Sequence, residues 1–283
     1  MMRGPALVLT AVAVCAAAPV RGQQPKQPWA GSARAASVQL TDTSSFGAVG
    51  IALEYRALPW LAFGAAPTLV RATSGATTVS GVGDLPVALE ASGQWGSPLH
   101  PELGASVIML LPTGQASCGV GSGVTSVGMQ VATGIAPSEG THLWADASRS
   151  FSGAITLSSL DRPQATWIDI GGDLDVAPRW TASLSAGGDV GASTTSPADR
   201  EIGGGISYAI TESLNLAVDA THRIAGEAPK WGLTVSLGTA SSTLSPLNSP
   251  APLGRQRQIF SGAGGTKGKA GAGGTTTTTT TCP

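Results

Sequence analysis

From about residue 36 to residue 240, apolar and polar side chains alternate with a period of two, the spacing of strands whose two faces meet different surroundings. The clearest run sets Ile202, Gly204, Ile206, Tyr208 and Ile210 against Gly203, Gly205, Ser207, Ala209 and Thr211. Ile168, Ile170, Leu174 and Val176 oppose Asp169, Gly171, Asp173 and Asp175 in the same way. About twelve such segments follow one another: 36–43, 47–56, 59–71, 82–95, 99–111, 124–136, 141–151, 165–176, 180–191, 200–211, 213–225 and 230–240. Most run about 10 to 13 residues, longer than the usual five or six of soluble sheets and enough for a tilted strand to cross hydrocarbon. Short turns near 57–58, 96–98, 137–140, 177–179 and 212 alternate with longer loops near 72–81, 112–123, 152–164 and 192–199. Such alternation, with an even strand number, is the plan of an outer-membrane barrel with both ends in the periplasm. The pattern therefore predicts an all-β fold, a single antiparallel up-and-down transmembrane β-barrel of about twelve strands over residues 36–240.

If the apolar face meets lipid, its aromatics should gather at the two membrane edges. Tyr55, Trp95, Trp180 and Tyr208 share the apolar parity and lie near short turns, while Trp231 and Phe151 sit at the loop-side ends of their strands. The opposite parity would line a lumen with Glu54, Arg56, Glu90, Glu102, Asp146, Asp169, Asp173, Asp175, Asp189, Asp219 and Arg223. One such charge at mid-depth on the lipid face would cost about 2 to 4 kcal/mol, a penalty this parity avoids. Arg71 and Arg149 take the lipid-facing parity, but at loop-side ends where anionic headgroups accept them. The competing architecture is a β-sandwich, whose core would be hard to fill with 4 Phe in the whole chain and an apolar face of mostly Ala, Val, Leu, Ile and Gly.

Composition supports the same picture. Charged residues make up 12% of the 283, about half the usual share in soluble domains, so much of the surface faces something other than water. A formal net charge of -1 removes the electrostatic case for nucleic-acid binding. Residues 1–22 read as a secretory signal, with Arg3 ahead of an uncharged run from Ala6 to Pro19. Residues 23–35 read as an N-terminal periplasmic segment or partial plug, and residues 241–283 as a disordered low-complexity tail ending in a threonine run. Without the two arginines of the signal and the four basic residues of the tail, the formal charge of -1 becomes -7 for the barrel region. The barrel is acidic and its tail basic. Cys15 falls in the signal, and Cys118 and Cys282 make no disulfide framework.

The chemistry-bearing residues do not assemble a reactive centre. His100, His142 and His222 have no ligand at metal-binding spacing, and His222 and Asp219 fall on opposite faces of one strand. The glycines of 119–123 precede no helical pattern, and Gly262 to Lys269 lacks the residues of a phosphate-binding loop. Neither an enzyme nor a cofactor or metal site is expected. Three runs carry a family likeness: Gly81-Val82-Gly83-Asp84-Leu85 entering a strand, Leu111-Pro112-Thr113-Gly114 leaving the next, and Gly50 to Arg56 turning into Trp60 to Gly64. With them the chain resembles, over roughly residues 36–240, the outer-membrane barrel transporters assigned to the MetA pathway of phenol degradation. That resemblance implies a channel-like protein for small, often aromatic or hydrophobic compounds, and carries over no residue-level site. The chain departs from outer-membrane barrels in lacking an aromatic at the end of its last strand, Trp231 to Thr239, and in the long tail that follows. The expectation is a monomer in a Gram-negative outer membrane, surrounded by lipid and lipopolysaccharide and passing a small solute. A structural or adhesive barrel and a secreted soluble β-domain are the rival readings.

Overall fold

The computed structural model describes residues 28–96, 98–118, 120–152, 166–190, 198–226, 230–239 and 278–281. Among these residues fourteen strands precede the tail: β1 (Trp29–Thr41), β2 (Ser44–Leu58), β3 (Leu61–Ala65), β4 (Thr68–Ser74), β5 (Thr77–Val82), β6 (Leu85–Gln94), β7 (Glu102–Leu111), β8 (Ser126–Ser138), β9 (Thr141–Ser152), β10 (Thr166–Ala177), β11 (Trp180–Val190), β12 (Arg200–Ala209), β13 (Leu214–Ala225) and β14 (Trp231–Thr239). A last strand, β15 (Thr278–Thr281), lies in the tail.

Twelve of these form a closed antiparallel ring, in which β3 is followed by β6 and β14 returns to pair with β1. The remaining two barrel strands are continuations. β3 and β4 are one strand interrupted at Ala66 and Pro67, since both pair with β2. Proline has no N–H to give the ladder, yet its carbonyl still accepts from Ile51 N at 3.2 Å. β5 and β6 are likewise one strand bent at Gly83 and Asp84, with Gly83 N reaching Thr68 O at 2.9 Å. The connections after β2, β6, β8, β10 and β12 and both ends of the barrel share one rim, the turn end; the other rim, the loop end, carries the remaining connections, among them the two-residue turns at 42–43 and 75–76.

The outward face is the one the alternation marked as apolar. Val49, Ile51, Leu53, Ile168, Ile170, Ile202, Ile206, Leu233, Val235 and Leu237 are all exposed, and Leu184 in the middle of β11 is 74% exposed. Water would not leave so continuous an apolar band uncovered, so this band faces hydrocarbon. In hydrocarbon each backbone N–H and C=O must be paired within the protein, which an open sheet edge cannot do and a closed ring does. The seam runs from Ser32↔Gly238 to Gln39↔Trp231. Beyond it, Lys230 N donates to Gln39 O at 2.7 Å, and Lys230 Nζ donates to Asp42 Oδ1 in the turn between β1 and β2.

Several boundaries differ from expectation. The first strand starts at Trp29, so residues 29–35 stand in the barrel wall and do not act as a plug. Their alternation is weak because the outward positions are Ala33, Ala35 and Ser37 and the inward ones include Arg34. The loop expected at 72–81 is a hairpin with a two-residue turn, in which Gly75 takes φ +58 and so supplies the left-handed conformation that Ser, Thr and Val avoid. Within the expected tail, Thr278–Thr281 pairs in parallel with Thr77–Ser80, whose outer edge is left without a wall neighbour where the chain turns away after Leu111. The signal, most of the loops near 152–164 and 192–199, and the rest of the tail lie outside the described residues.

Replacing Leu184 by arginine is expected to lower barrel stability by about 2 to 4 kcal/mol, read by urea unfolding in lipid vesicles. At the seam, the hydrogen bond from Lys230, with the nearby charges of Lys230 and Arg223, holds the Asp42 carboxyl below its ordinary range. A depressed carboxyl stabilises the fold above its unfolded pKa of about 3.9 and loses that contribution as pH falls through the folded value. Lys230→Met should return the Asp42 titration, followed by carbon-detected NMR, to the ordinary carboxylate range. The stability gap between the two proteins should close as the pH falls through the folded pKa of Asp42.

Candidate functional site

Inside the ring, the parity that faces away from lipid brings distant carboxylates together. Glu54, Glu90, Asp146, Asp169 and Asp219 are 3 to 5% exposed, so they lie among other side chains on the inner face. Asp169 and Asp146 stand directly opposite on β10 and β9, an arrangement that repels unless each charge is otherwise satisfied. Each has a donor: Trp167 Nε1 reaches Asp169 Oδ2 at 2.6 Å, and Gln130 Nε2 reaches Asp146 Oδ1 at 3.2 Å. Glu54 accepts from Arg56 Nη2 at 3.3 Å. Arg34, on the inner face of β1, attracts Asp219 from two strands away. Room for these groups comes from glycines on neighbouring strands: a methyl group on Gly205 would strike the Asp219 carboxylate, and one on Gly171 would strike the Trp144 ring.

Toward the turn end the interior opens. A cavity of about 580 Å³ is lined by Pro98, His100, Glu139, His142, Asp173 and Asp175, with Thr181 and Ser207. His142 stands between two carboxylates, its Nδ1 3.3 Å from Asp173 Oδ2 and its Nε2 3.8 Å from Glu102 Oε2. Glu102 also accepts from Gln94 Nε2 at 2.9 Å, and Thr181 Oγ1 donates to Asp175 Oδ1 at 2.7 Å. Glu102, Asp173, Asp189 and Arg223 are half-buried, and Asp175 is exposed at the rim.

Beside β1 to β7, the loop-end half of the interior departs from the expected polar lining. Val38, Leu40, Phe46, Ala48, Val70, Ala72 and Val79 gather on the inner face of β1, β2, β4 and β5. Pro86, Ile108 and Leu110 are buried with inward parity on β6 and β7. What covers part of this apolar surface is the connection between β7 and β8, expected as an outer loop: its Val120 is 1% exposed and packs on Phe46, Ala48 and Val70. Burying such a side chain is worth about 1.5 to 3 kcal/mol. The connection is also tied by polar contacts, since the buried Asp84 accepts from Gly114 N at 3.0 Å and from Ser122 N at 2.7 Å. Thr113 Oγ1 donates to Gly83 O at 3.0 Å. The glycine-aspartate run at 81–85 and the Leu-Pro-Thr-Gly run at 111–114 are therefore two halves of one contact.

On the outer surface, Trp29 meets Tyr55 and Trp180 meets Tyr208, each pair with ring centroids 4.7 Å apart at the turn end. Trp95 is half-buried just past β6, and Trp231 is exposed at the loop end. Trp29 escaped the sequence reading because its strand did. His142 also escaped it, because its partners are 40 and 31 residues away; the one available signal was the inward parity it shares with Trp144 and Asp146. His222 is exposed and Asp219 buried, on opposite faces of β13. No group of three His, Cys, Asp or Glu suited to a metal ion occurs among the described residues.

A closed ring, apolar outside and lined by carboxylates inside, defines a membrane-spanning β-barrel of the outer-membrane kind. The chain is similar in fold to an outer-membrane channel from Pseudomonas putida F1, with 18% identity and a TM-score of 0.57 over 77% of this chain and 98% of that one. It also aligns with the KdgM porin, at 9% identity and a TM-score of 0.47 over 75% of this chain and 99% of that one. The NanC porin aligns at 6% identity with a TM-score of 0.49, over 75% of this chain and 100% of that one. At these identities the likeness extends to the fold alone. No family model matches the sequence, and no curated protein matches it.

Replacing His142 by alanine leaves Glu102 and Asp173 facing each other without the ring between them. Stability should fall by about 1 to 3 kcal/mol, and adding Glu102→Gln should recover part of the loss, both read by urea unfolding in vesicles.

Proposed function

We propose that the protein is a monomeric outer-membrane channel of a Gram-negative bacterium that passively passes small solutes and catalyses no reaction. The observation that carries this reading is the closed twelve-strand ring with a cavity at its turn end lined by Glu139, Asp173 and Asp175, since a barrel whose only task was anchorage would have no use for an open, acidic interior. A ring of this size lies between side-chain-filled eight-stranded barrels and open porins, so its passage is narrow. The carboxylates at the turn end raise the local concentration of cations and favour cations and neutral polar solutes over anions. The apolar wall beside β1 to β7 suits the aromatic or hydrophobic body of such a solute. In this orientation the turn end is periplasmic, the exposed aromatics of that rim sit at the inner lipid boundary, and lipopolysaccharide surrounds the loop end, where Arg71 and Arg149 face outward.

The deep burial of the carboxylates favours a second reading, a barrel that passes nothing and serves as structure or adhesin. Single-channel recording in planar bilayers with paired salts separates the two. Cation selectivity is the expected result; anion selectivity overturns the proposed preference, and a silent barrel in both recording and liposome swelling favours the second reading. Replacing Glu90, Asp169, Asp173 and Asp219 together with their amides should reduce the cation preference severalfold while heat-modifiable migration on gels persists.

A further inference from the structure

We infer that the inward connection between β7 and β8 sets the size limit of the passage, with Val120 as its anchor on the wall and Asp84 as the residue that positions it. This rests on the channel reading above. The sequence predicts an outer loop at 112–123, but in the structure the chain turns inward at Leu111 and returns to the wall at Ser126. Its deepest point is Val120, 1% exposed in the apolar cup of Val38, Leu40, Phe46, Ala48, Val70, Ala72 and Val79. Those seven residues have the inward parity of their strands, so the segment that Val120 anchors lies within the ring and narrows an interior that is already small.

Two independent features hold it there. Asp84, 6% exposed at the bend between β5 and β6, divides its two carboxylate oxygens between the outgoing and returning arms, taking Gly114 N on one and Ser122 N on the other. The arms themselves touch: a methyl group on Gly114 would lie 2.8 Å from Gly121 Cα and 3.0 Å from Asp84 Oδ1. That closeness explains why both positions are glycine. A wall carboxylate that clasps both arms of an inward segment, with an apolar side chain at its tip seated on an apolar wall, is the geometry of a fixed constriction. The carboxylates of the inner face select by charge; the clasped segment selects by size.

The test uses the full chain reconstituted in planar bilayers and liposomes, with three variants. Asp84→Ala removes the clasp, Val120→Gly removes the apolar anchor and keeps the clasp, and Val120→Cys, with Cys118 and Cys282 changed to serine, reports access to position 120 through a membrane-impermeant thiol reagent. Asp84→Ala should raise conductance and admit larger neutral sugars in swelling assays. Combined with Val120→Cys, it should speed thiol labelling about tenfold or more, the factor that follows from losing a hydrogen bond to a charged group. Val120→Gly should relax the sugar cut-off without changing salt selectivity. A correctly inserted Asp84→Ala protein with wild-type conductance, cut-off and labelling rate overturns the assignment. Should Asp84→Ala not insert, Val120→Gly decides, and an unchanged cut-off overturns it. If wild type and all variants neither conduct nor swell, the channel reading falls instead, and faster labelling would still show that Asp84 fixes the segment.

Discussion

Pairing of every backbone amide inside hydrocarbon is the constraint on which the rest of this structure depends. A strand crossing lipid has no water to satisfy its N–H and C=O groups, so the last strand must find the first. The β1–β14 seam supplies that pairing over eight residue pairs. Once the ring is closed, each strand has one face on lipid and the other on its neighbours across a narrow interior. The period-two alternation, the outward Leu, Ile and Val, and the inward carboxylates are consequences of this closure.

Closure also forces a packing problem on the interior. Twelve strands bring indoles, carboxylates and a guanidinium into a confined volume, and small residues on adjacent strands make the room. This places the glycine-rich composition in the barrel wall, where it serves close approach of side chains as much as turns. Opposed carboxylates such as Asp146 and Asp169 are tolerated because Gln130 and Trp167 give each a donor of its own. The result is an interior that is apolar in the loop-end half beside β1 to β7, lined by carboxylates elsewhere, and open at the turn end.

The bend at Gly83 and Asp84 links the wall to that gradient. Where β7 ends at Leu111 the wall loses a neighbour for β5, the chain turns inward, and the buried carboxylate at the bend receives it. One local departure from regular pairing thus frees a strand edge outside and fills space inside. In a membrane protein such irregular backbone is tolerable because it lies within the ring, away from lipid.

Strand number, approximate boundaries and the lipid-facing parity were legible in the sequence, because lipid imposes a strict alternation that survives in Ile168, Ile170, Leu216, Val218, Leu233 and Val235. The first strand was half hidden, since alanine and serine serve on its outward side and blur the alternation. Which inward residues meet one another was not legible: Glu102, His142 and Asp173 come from three strands, and Asp84 reaches a segment some thirty residues away. The apolar interior beside β1 to β7 was misread for the same reason, because inward parity alone does not say whether a position meets water or another part of the chain. The sequence determined the faces, since each follows from local spacing and one solvent boundary. Only the closed ring decided the neighbours, because register and curvature are set by all twelve strands together.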